Sequence, residues 1–296
     1  MTRLLSSYAR SWDCHARRDT YGSILAHHGR WSHDAFFATG QAEMDTVFHH
    51  AREKQYACGD RAALDYGCGI GRITHALAPR FRAVYGLDVS EEMIRRGTVL
   101  HPLPSVTFRV VTSLSLPFPN DFFDFAYSTL TLQHLPGRTA IAAILREFSR
   151  TLAPSGLLVF NIPVFLPWKK RIQPRHRFAR LFAALGIPEL QFLQRLGVSL
   201  AGTQQAPESW IATTAQSAGL RLREVHRETH QTSGIVTGVF WYTKQELRKQ
   251  PADVRDPARD EKARRRGVEN DESHDGGSEE SESEGAIFPP IEKPEE

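Results

Sequence analysis

Three glycines at alternate positions, Gly67, Gly69 and Gly71 in LDYGCGIGR (residues 64–72), are the residues whose type and spacing first point to chemistry. Glycine loses more conformational freedom on folding than any other residue, so three of them in five positions imply bare backbone held against something. An apolar run containing Asp65 leads into the loop and a helical pattern leaves it, so the loop joins a strand to a helix. In an open α/β sheet such a loop lies at the carboxyl edge of the strands, where ligands bind. The spacing G-x-G-x-G differs from the dinucleotide loop G-x-G-x-x-G, and no Walker loop G-x-x-x-x-G-K-[ST] is present. Asp88 stands 21 residues beyond Gly67 at the end of the next apolar run, where a carboxylate can accept hydrogen bonds from a ribose diol. Together the loop and the acid imply a ligand with a ribose and no pyrophosphate to cradle.

The elements that must position these residues alternate. Short apolar runs at residues 61–66, 83–88, 106–111, 122–128 and 157–162 are separated by helical patterns, including residues 142–153. Such alternation predicts an α/β fold with a doubly wound, mostly parallel sheet covered on both faces. Ser90 suits the cap of the helix after the second strand, and Glu91 and Glu92 suit its positive N-terminus. The PSG at residues 154–156 reads as a turn. Runs at residues 220–226 and 235–243 bring the count to seven strands. They follow one another through a short polar link, so they must pair antiparallel, because a parallel crossover needs a dozen or more residues. Residues 1–55 are helical in pattern, with Phe36, Phe37, Met44, Val47 and Phe48 as their apolar positions. Residues 163–210 form an insert with helical runs at 178–185 and 190–197.

Composition sets the outer bounds. Of 296 residues, 41% are hydrophobic and 24% charged, the mix of an ordinary globular protein. Three cysteines, Cys14, Cys58 and Cys68, without CxxC spacing argue for a reducing compartment and against a zinc site, so the cytoplasm is the expected location. The thirteen histidines include the pairs His27–His28 and His49–His50, which lack HExxH spacing and read as surface residues, with metal ligation the lesser alternative. No stretch is long and apolar enough for a membrane span, and the N-terminus lacks a signal-peptide core. Net charge is +3, but residues 251–296 carry 15 acids and 7 bases, the composition of a disordered tail, while residues 1–250 are net +11.

Four stretches in order, LDYGCGIGR, YGLDVSEEM, LPFPNDFFDFAYSTLTLQHLP and LREFSRTLAPSGLLVF, resemble the successive motifs of class I S-adenosylmethionine-dependent methyltransferases of the small-molecule type. The resemblance covers residues 62–162. It implies a Rossmann-like methyltransferase domain over residues 56–250, with residues 1–55 as a helical lid and residues 163–210 as a substrate cap. It implies S-adenosylmethionine as cofactor, with Gly67, Gly69 and Gly71 against its methionine part and Asp65 under its amino group. Asp88 would take the ribose hydroxyls, with Val89 and Met93 against the adenine and the backbone of Ser113 and Leu114 at the adenine edge. Met93 reads equally as plain core. The family's usual Asp before the Ser113 position is Thr112 here, which removes one acceptor for the adenine amino group.

The methyl acceptor is open. His134, just past the fourth strand, is either a general base or a loop-packing histidine, and Gln133 and Tyr127 are further candidates for polar lining. The segment SYARSWDCHARRDTYGSI resembles the leading helices of some bacterial small-molecule methyltransferases, making Tyr8 and Trp12 either lid residues or helix anchors. Cys68 reads as a small filler. Lys169, Lys170, Arg171, Arg175, Arg177 and Arg180 give the insert a basic face, which either attracts an anionic small molecule or is simply solvated. No aromatic ladder accompanies it, which argues against nucleic acid. The leading expectation is methyl transfer to a small or lipid-like acceptor. A non-catalytic cofactor-binding protein and an RNA-directed methyltransferase are the alternatives.

Overall fold

The structure is a computed structural model and describes residues 2–25, 31–100, 102–168 and 202–245. The chain divides into two units, Met1–Glu246 and Leu247–Glu296, and every described residue belongs to the first. The helical runs expected in the insert, its basic residues and the charged tail lie outside the described residues.

Three helices open the chain: α1 (Thr2–Arg18), α2 (Thr20–Leu25) and α3 (His33–Glu53). Strands and helices then alternate as β1 (Ala62–Tyr66), α4 (Arg72–Leu77), β2 (Ala83–Asp88), α5 (Glu91–Leu100), β3 (Val106–Val110) and β4 (Phe123–Ser128). They continue as α6 (Arg138–Thr151), β5 (Leu152–Phe165), α7 (Glu208–Ser217), β6 (Leu220–Thr229) and β7 (Val236–Lys244). The seven strands form one sheet in the order β3-β2-β1-β4-β5-β7-β6. β7 runs antiparallel to both its neighbours, and the first five strands pair in parallel.

Chain order reverses between β1 and β4, and this switch point opens a crevice at the carboxyl edge of the sheet. β1 and β4 are buried at every residue, as expected of central parallel strands covered on both faces. One face packs against α6 and α7 through Leu64, Phe160, Phe240 and Tyr242. The other packs against α3 and α4 through Ala63, Phe125, Val159 and Trp241. A smaller cluster of Ala16, Phe36, Phe37, Ile70 and Met93 seats the N-terminal helices beside the glycine loop.

Several boundaries differ from those expected, with β5 running on to Phe165 and β6 to Thr229. α6 begins at Arg138, four residues early, because Gly137 at φ 99° ends the preceding loop and Ala140 and Ile141 already join the buried stripe. The PSG expected as a turn lies within β5. Phe123 pairs with Leu152 but Phe125 with Leu157, so residues 153–156 bulge out of the ladder with Pro154 and Ser155 exposed.

Beneath the glycine loop lies a buried charge network. Arg72, 2% exposed, pairs with Glu43 of α3 at 2.7 Å, and Glu43 also accepts the Tyr127 hydroxyl at 2.6 Å. Asp65, also 2% exposed, accepts the Thr74 hydroxyl at 2.7 Å. Burial pushes the Asp65 carboxyl up to about 7, against the lowering effects of the Thr74 hydrogen bond and the Arg72 charge. The folded state therefore holds a proton on Asp65 that the unfolded chain releases near pH 4. Stability from this group falls as pH rises from about 4 to about 7, and the full cost is present above that window. Asp65→Asn should relieve it. At about 1.4 kcal/mol per pKa unit over about three units, the variant should exceed the parent in stability by up to about 4 kcal/mol at pH 8. The gain should vanish at pH 4. Urea denaturation at the two pH values checks this, and a difference that does not change with pH would contradict the assignment.

Candidate functional site

A cavity of about 370 Å³ occupies the crevice at the switch point, within the range of small-molecule sites. Its floor is the β1–α4 loop. Gly67 and Gly69 stand at φ 79° and 56°, in the left-handed region that side chains resist. Space enforces the same choice. A Cβ on Gly67 would collide with the Thr131 side chain, and one on Gly69 would stand 2.8 Å from Ile24 Cδ1. The amides of Gly67 and Cys68 both donate to the Leu87 carbonyl, at 2.7 and 3.0 Å, so the turn is bound to the end of β2.

Asp88 completes that junction. Its Oδ2 accepts the Gly69 amide and its Oδ1 the Ser90 amide, each at 2.9 Å, and its side chain lines the cavity. Burial raises its carboxyl above the usual range, with the backbone hydrogen bonds countering and the charge of Asp13 adding to the rise. A carboxylate can accept about four hydrogen bonds, so these backbone amides leave acceptor capacity on Asp88. Val89, Met93 and Val111 give an adjoining apolar wall.

The roof comes from the N-terminal helices. Tyr8, Trp12 and His15 of α1 and Ile24 of α2 line the cavity. Asp13 fastens α1 to the start of α5: its Oδ1 accepts the Ser90 hydroxyl at 2.6 Å and the Glu92 amide at 3.1 Å. The Ser90 hydroxyl in turn accepts the Met93 amide at 3.1 Å, as a helix cap should. The third wall is the segment after β4. His134 ends a 3-10 turn, Leu132–His134, and meets Trp12 edge-on at 5.1 Å between ring centroids. Its Nδ1 lies 3.3 Å from the Gly202 carbonyl, which can only accept, so Nδ1 carries the proton. Nε2 is then the basic nitrogen, 3.1 Å from the Gln133 amide nitrogen that donates to it.

Several expected residues do not reach the cavity. Asp65 faces Thr74 in the buried network behind the loop and is absent from the lining. Gly71, at φ 90°, caps α4 against Phe108 and also stays outside it. Ser113 is exposed and exchanges hydrogen bonds with Ser115, while Leu114 packs on the core. Val111, two residues earlier, takes the wall position instead. Thr112 is exposed and outside the lining. Tyr127 is engaged with Glu43, and Cys68 is buried with its thiol pushed up by burial. Asp13 and Ile24 are additions. Asp13 meets its partners 77 and 79 residues away, so no local pattern announces it.

Residues 64–160 match the family described as "Methyltransferase domain". Over 99 residues the chain is 36% identical to 2-methyl-6-phytyl-1,4-hydroquinone methyltransferase of Synechocystis, covering 32% of this chain and 30% of that enzyme. Over 128 residues it is 34% identical to trans-aconitate 2-methyltransferase of Methylobacterium radiotolerans, covering 43% and 45%. The match thus spans less than half the length of these curated relatives. Among solved structures, the chain superposes on magnesium protoporphyrin IX methyltransferase of Synechocystis with bound SAH at a TM-score of 0.52. The identity is 16%, over 83% of this chain and all of that one. It superposes on the [4+2]-cyclase SpnF at 0.56 and 16% identity, over 81% and 97%. These likenesses are of fold. The sequence match makes residues 64–160, about a third of the chain, similar to a methyltransferase domain, and the fold is the Rossmann-like one of these structures.

Proposed function

We propose that this chain binds S-adenosylmethionine in the switch-point cavity and transfers its methyl group to a small-molecule or lipid-like acceptor. The observation that carries the reading is Asp88 beside Gly67 and Gly69 on one cavity floor. A side chain at Gly67 would strike Thr131 and one at Gly69 would press on Ile24, both of which line that cavity, and Asp88 lines it too. These residues fit a ribose-bearing ligand. Asp88 would hold the hydroxyls, the glycine backbone the methionine part, and Val89, Met93 and Val111 the adenine. Asp65, Gly71, Ser113 and Leu114, outside the cavity lining, are left to support the loop and the wall.

When bound, the cofactor supplies a methyl group already activated on a sulfonium. The remaining work for the protein is alignment and exclusion of water, worth several kcal/mol of a barrier when geometry is well held. Trp12, Tyr8 and Ile24 form the roof that would exclude water, which is the lid role proposed for residues 1–55. His134 is placed to hold a proton. Its Nδ1 proton is committed to Gly202, which leaves Nε2 to accept from an acceptor hydroxyl or amine that displaces the Gln133 amide. The two relatives act, by their names, on a hydroquinone and on trans-aconitate, both small molecules, which supports an acceptor of that scale. No helix among the described residues is long and apolar enough to cross a membrane. A cytoplasmic setting, suggested by the odd cysteine count, belongs to the same proposal.

Isothermal titration with S-adenosylhomocysteine is the first test: heat should report micromolar binding, and its absence at high protein concentration would end the proposal. Asp88→Ala should weaken that binding at least about tenfold, since each charge-assisted hydrogen bond lost is worth about 1.5–3 kcal/mol. Equal affinity in the variant, at a matched melting temperature, would remove the ribose from Asp88. With an acceptor found by labelled-methyl transfer into a metabolite extract, His134→Gln should lower kcat by about 10²-fold or more. S-adenosylhomocysteine affinity should stay within about twofold of the parent. An unchanged kcat would assign His134 to packing against Trp12. An extract that takes up no label in the presence of bound cofactor would favour the non-catalytic reading.

A further inference from the structure

Away from the cavity, two histidines and a glutamate converge between α3 and the edge strand β6. His50 lies in the last turn of α3. Glu224 and His226 are two apart on β6, so they share one face. A bulge decides which face. Leu222 pairs with Tyr242 but Glu224 with Trp241, so β6 carries one more residue here than β7. Leu220 before the bulge and Val225 after it belong to the core on the α6 and α7 side, whereas Trp241, opposite Glu224, belongs to the α3 side. Without the extra residue, Glu224 and His226 would continue the phase of Leu220 and point to the other layer. With it, they meet His50.

The meeting is close. His50 Nε2 lies 2.5 Å from Glu224 Oε1, and His226 Nε2 lies 3.2 Å from Glu224 Oε2. One nitrogen from each ring and a carboxylate oxygen all fall within 4.8 Å of one another. Trp241 packs on His50 at 4.8 Å between centroids, and Tyr56 hydrogen-bonds Glu224, so the donors are held from behind. His50 and Glu224 are about one-fifth exposed and His226 about half exposed, which leaves an entry path from solvent. None of the three lines the cavity.

We propose that His50, Glu224 and His226 bind a divalent transition-metal cation of the zinc class, with a fourth position open to solvent beside His226, and that this cation clips α3 to β6. Two imidazoles and one carboxylate suit zinc and its neighbours, while calcium and magnesium favour sets made of oxygen alone. Donors around a tetrahedral zinc bonded at about 2.0–2.2 Å stand roughly 3.3 Å apart. The present spacing needs movements of about an ångström to reach that, within the reach of side-chain rotation about a held backbone. The site spans 174 residues of sequence, so the cation would join the N-terminal helices to the last hairpin of the sheet. This is contrary to the expectation of no zinc site, which rested on cysteine spacing and on the lack of HExxH spacing at the histidine pairs. A ligand set drawn from a helix and a distant bulged strand has no short motif.

Titration of the chelator-stripped full chain with zinc chloride tests the site, with His226→Ala and Glu224→Gln beside the parent. His226 is half exposed and its removal leaves the core intact, and circular dichroism melts without zinc verify that both variants fold. The parent should bind zinc in the micromolar range and melt at a higher temperature with zinc present. Each variant should bind it at least about tenfold more weakly and lose the shift. S-adenosylhomocysteine affinity should be the same in all three. No binding by the parent at sub-millimolar zinc would overturn the proposal, leaving the three side chains as a plain ion-pair network. Equal binding by parent and variants would overturn it too, because the cation would then sit at other histidines.

Discussion

The site hangs on the way Asp88 closes the turn between β1 and α4. A carboxylate removed from water carries a cost that hydrogen bonds must offset. Here the offset comes from two backbone amides, one on the glycine loop and one at the start of α5. Each is a charge-assisted hydrogen bond of roughly 1.5–3 kcal/mol, yet burial still outweighs them enough to raise the carboxyl above its usual range. The same group therefore does two things. It fixes the loop against the end of β2, and it lines the cavity. A ligand with vicinal hydroxyls would bring further donors to that carboxylate, so the proposed cofactor and the shape of the turn meet at one residue.

The N-terminal helices extend this arrangement. Asp13 docks α1 on the Ser90 hydroxyl and the Glu92 amide, at the positive end of α5, two and four residues beyond Asp88. Ile24 fits over Gly69, and Trp12 meets His134 across the opening. Floor, roof and the candidate base are thus joined through contacts at the glycine loop, the β2–α5 turn and the segment after β4. A change in how α1 sits alters the cavity directly, without passing through the core of the sheet.

The sequence made the sheet legible because buried parallel strands read as continuous apolar runs. β2, bounded by arginine and Asp88, emerged with its observed ends. Elements set by tertiary contacts did not. The early start of α6 depends on Ile141 finding the core, and the bulge at residues 153–156 depends on the register of β4. At the site, Gly67, Gly69, Asp88, Val89 and Met93 line the cavity because the local turn itself aims them. Asp65 precedes the same turn but alternates to the other face of β1, where Thr74 awaits it. Ser113 and Leu114 lie past the last residue of β3, where the chain already leaves the wall that Val111 forms. Asp13 and the Glu224–His226 bulge were illegible for a single reason: their partners are dozens to hundreds of residues away, and no local period encodes them.

The most direct measurement is a crystal structure of the full chain grown with S-adenosylhomocysteine. The account predicts the ribose hydroxyls on Asp88, the adenine between Met93 and Val111, and the sulfur toward the opening bounded by Trp12 and His134, with the glycine loop unmoved. A ligand bound elsewhere, or one in the cavity with its ribose turned away from Asp88, would contradict it.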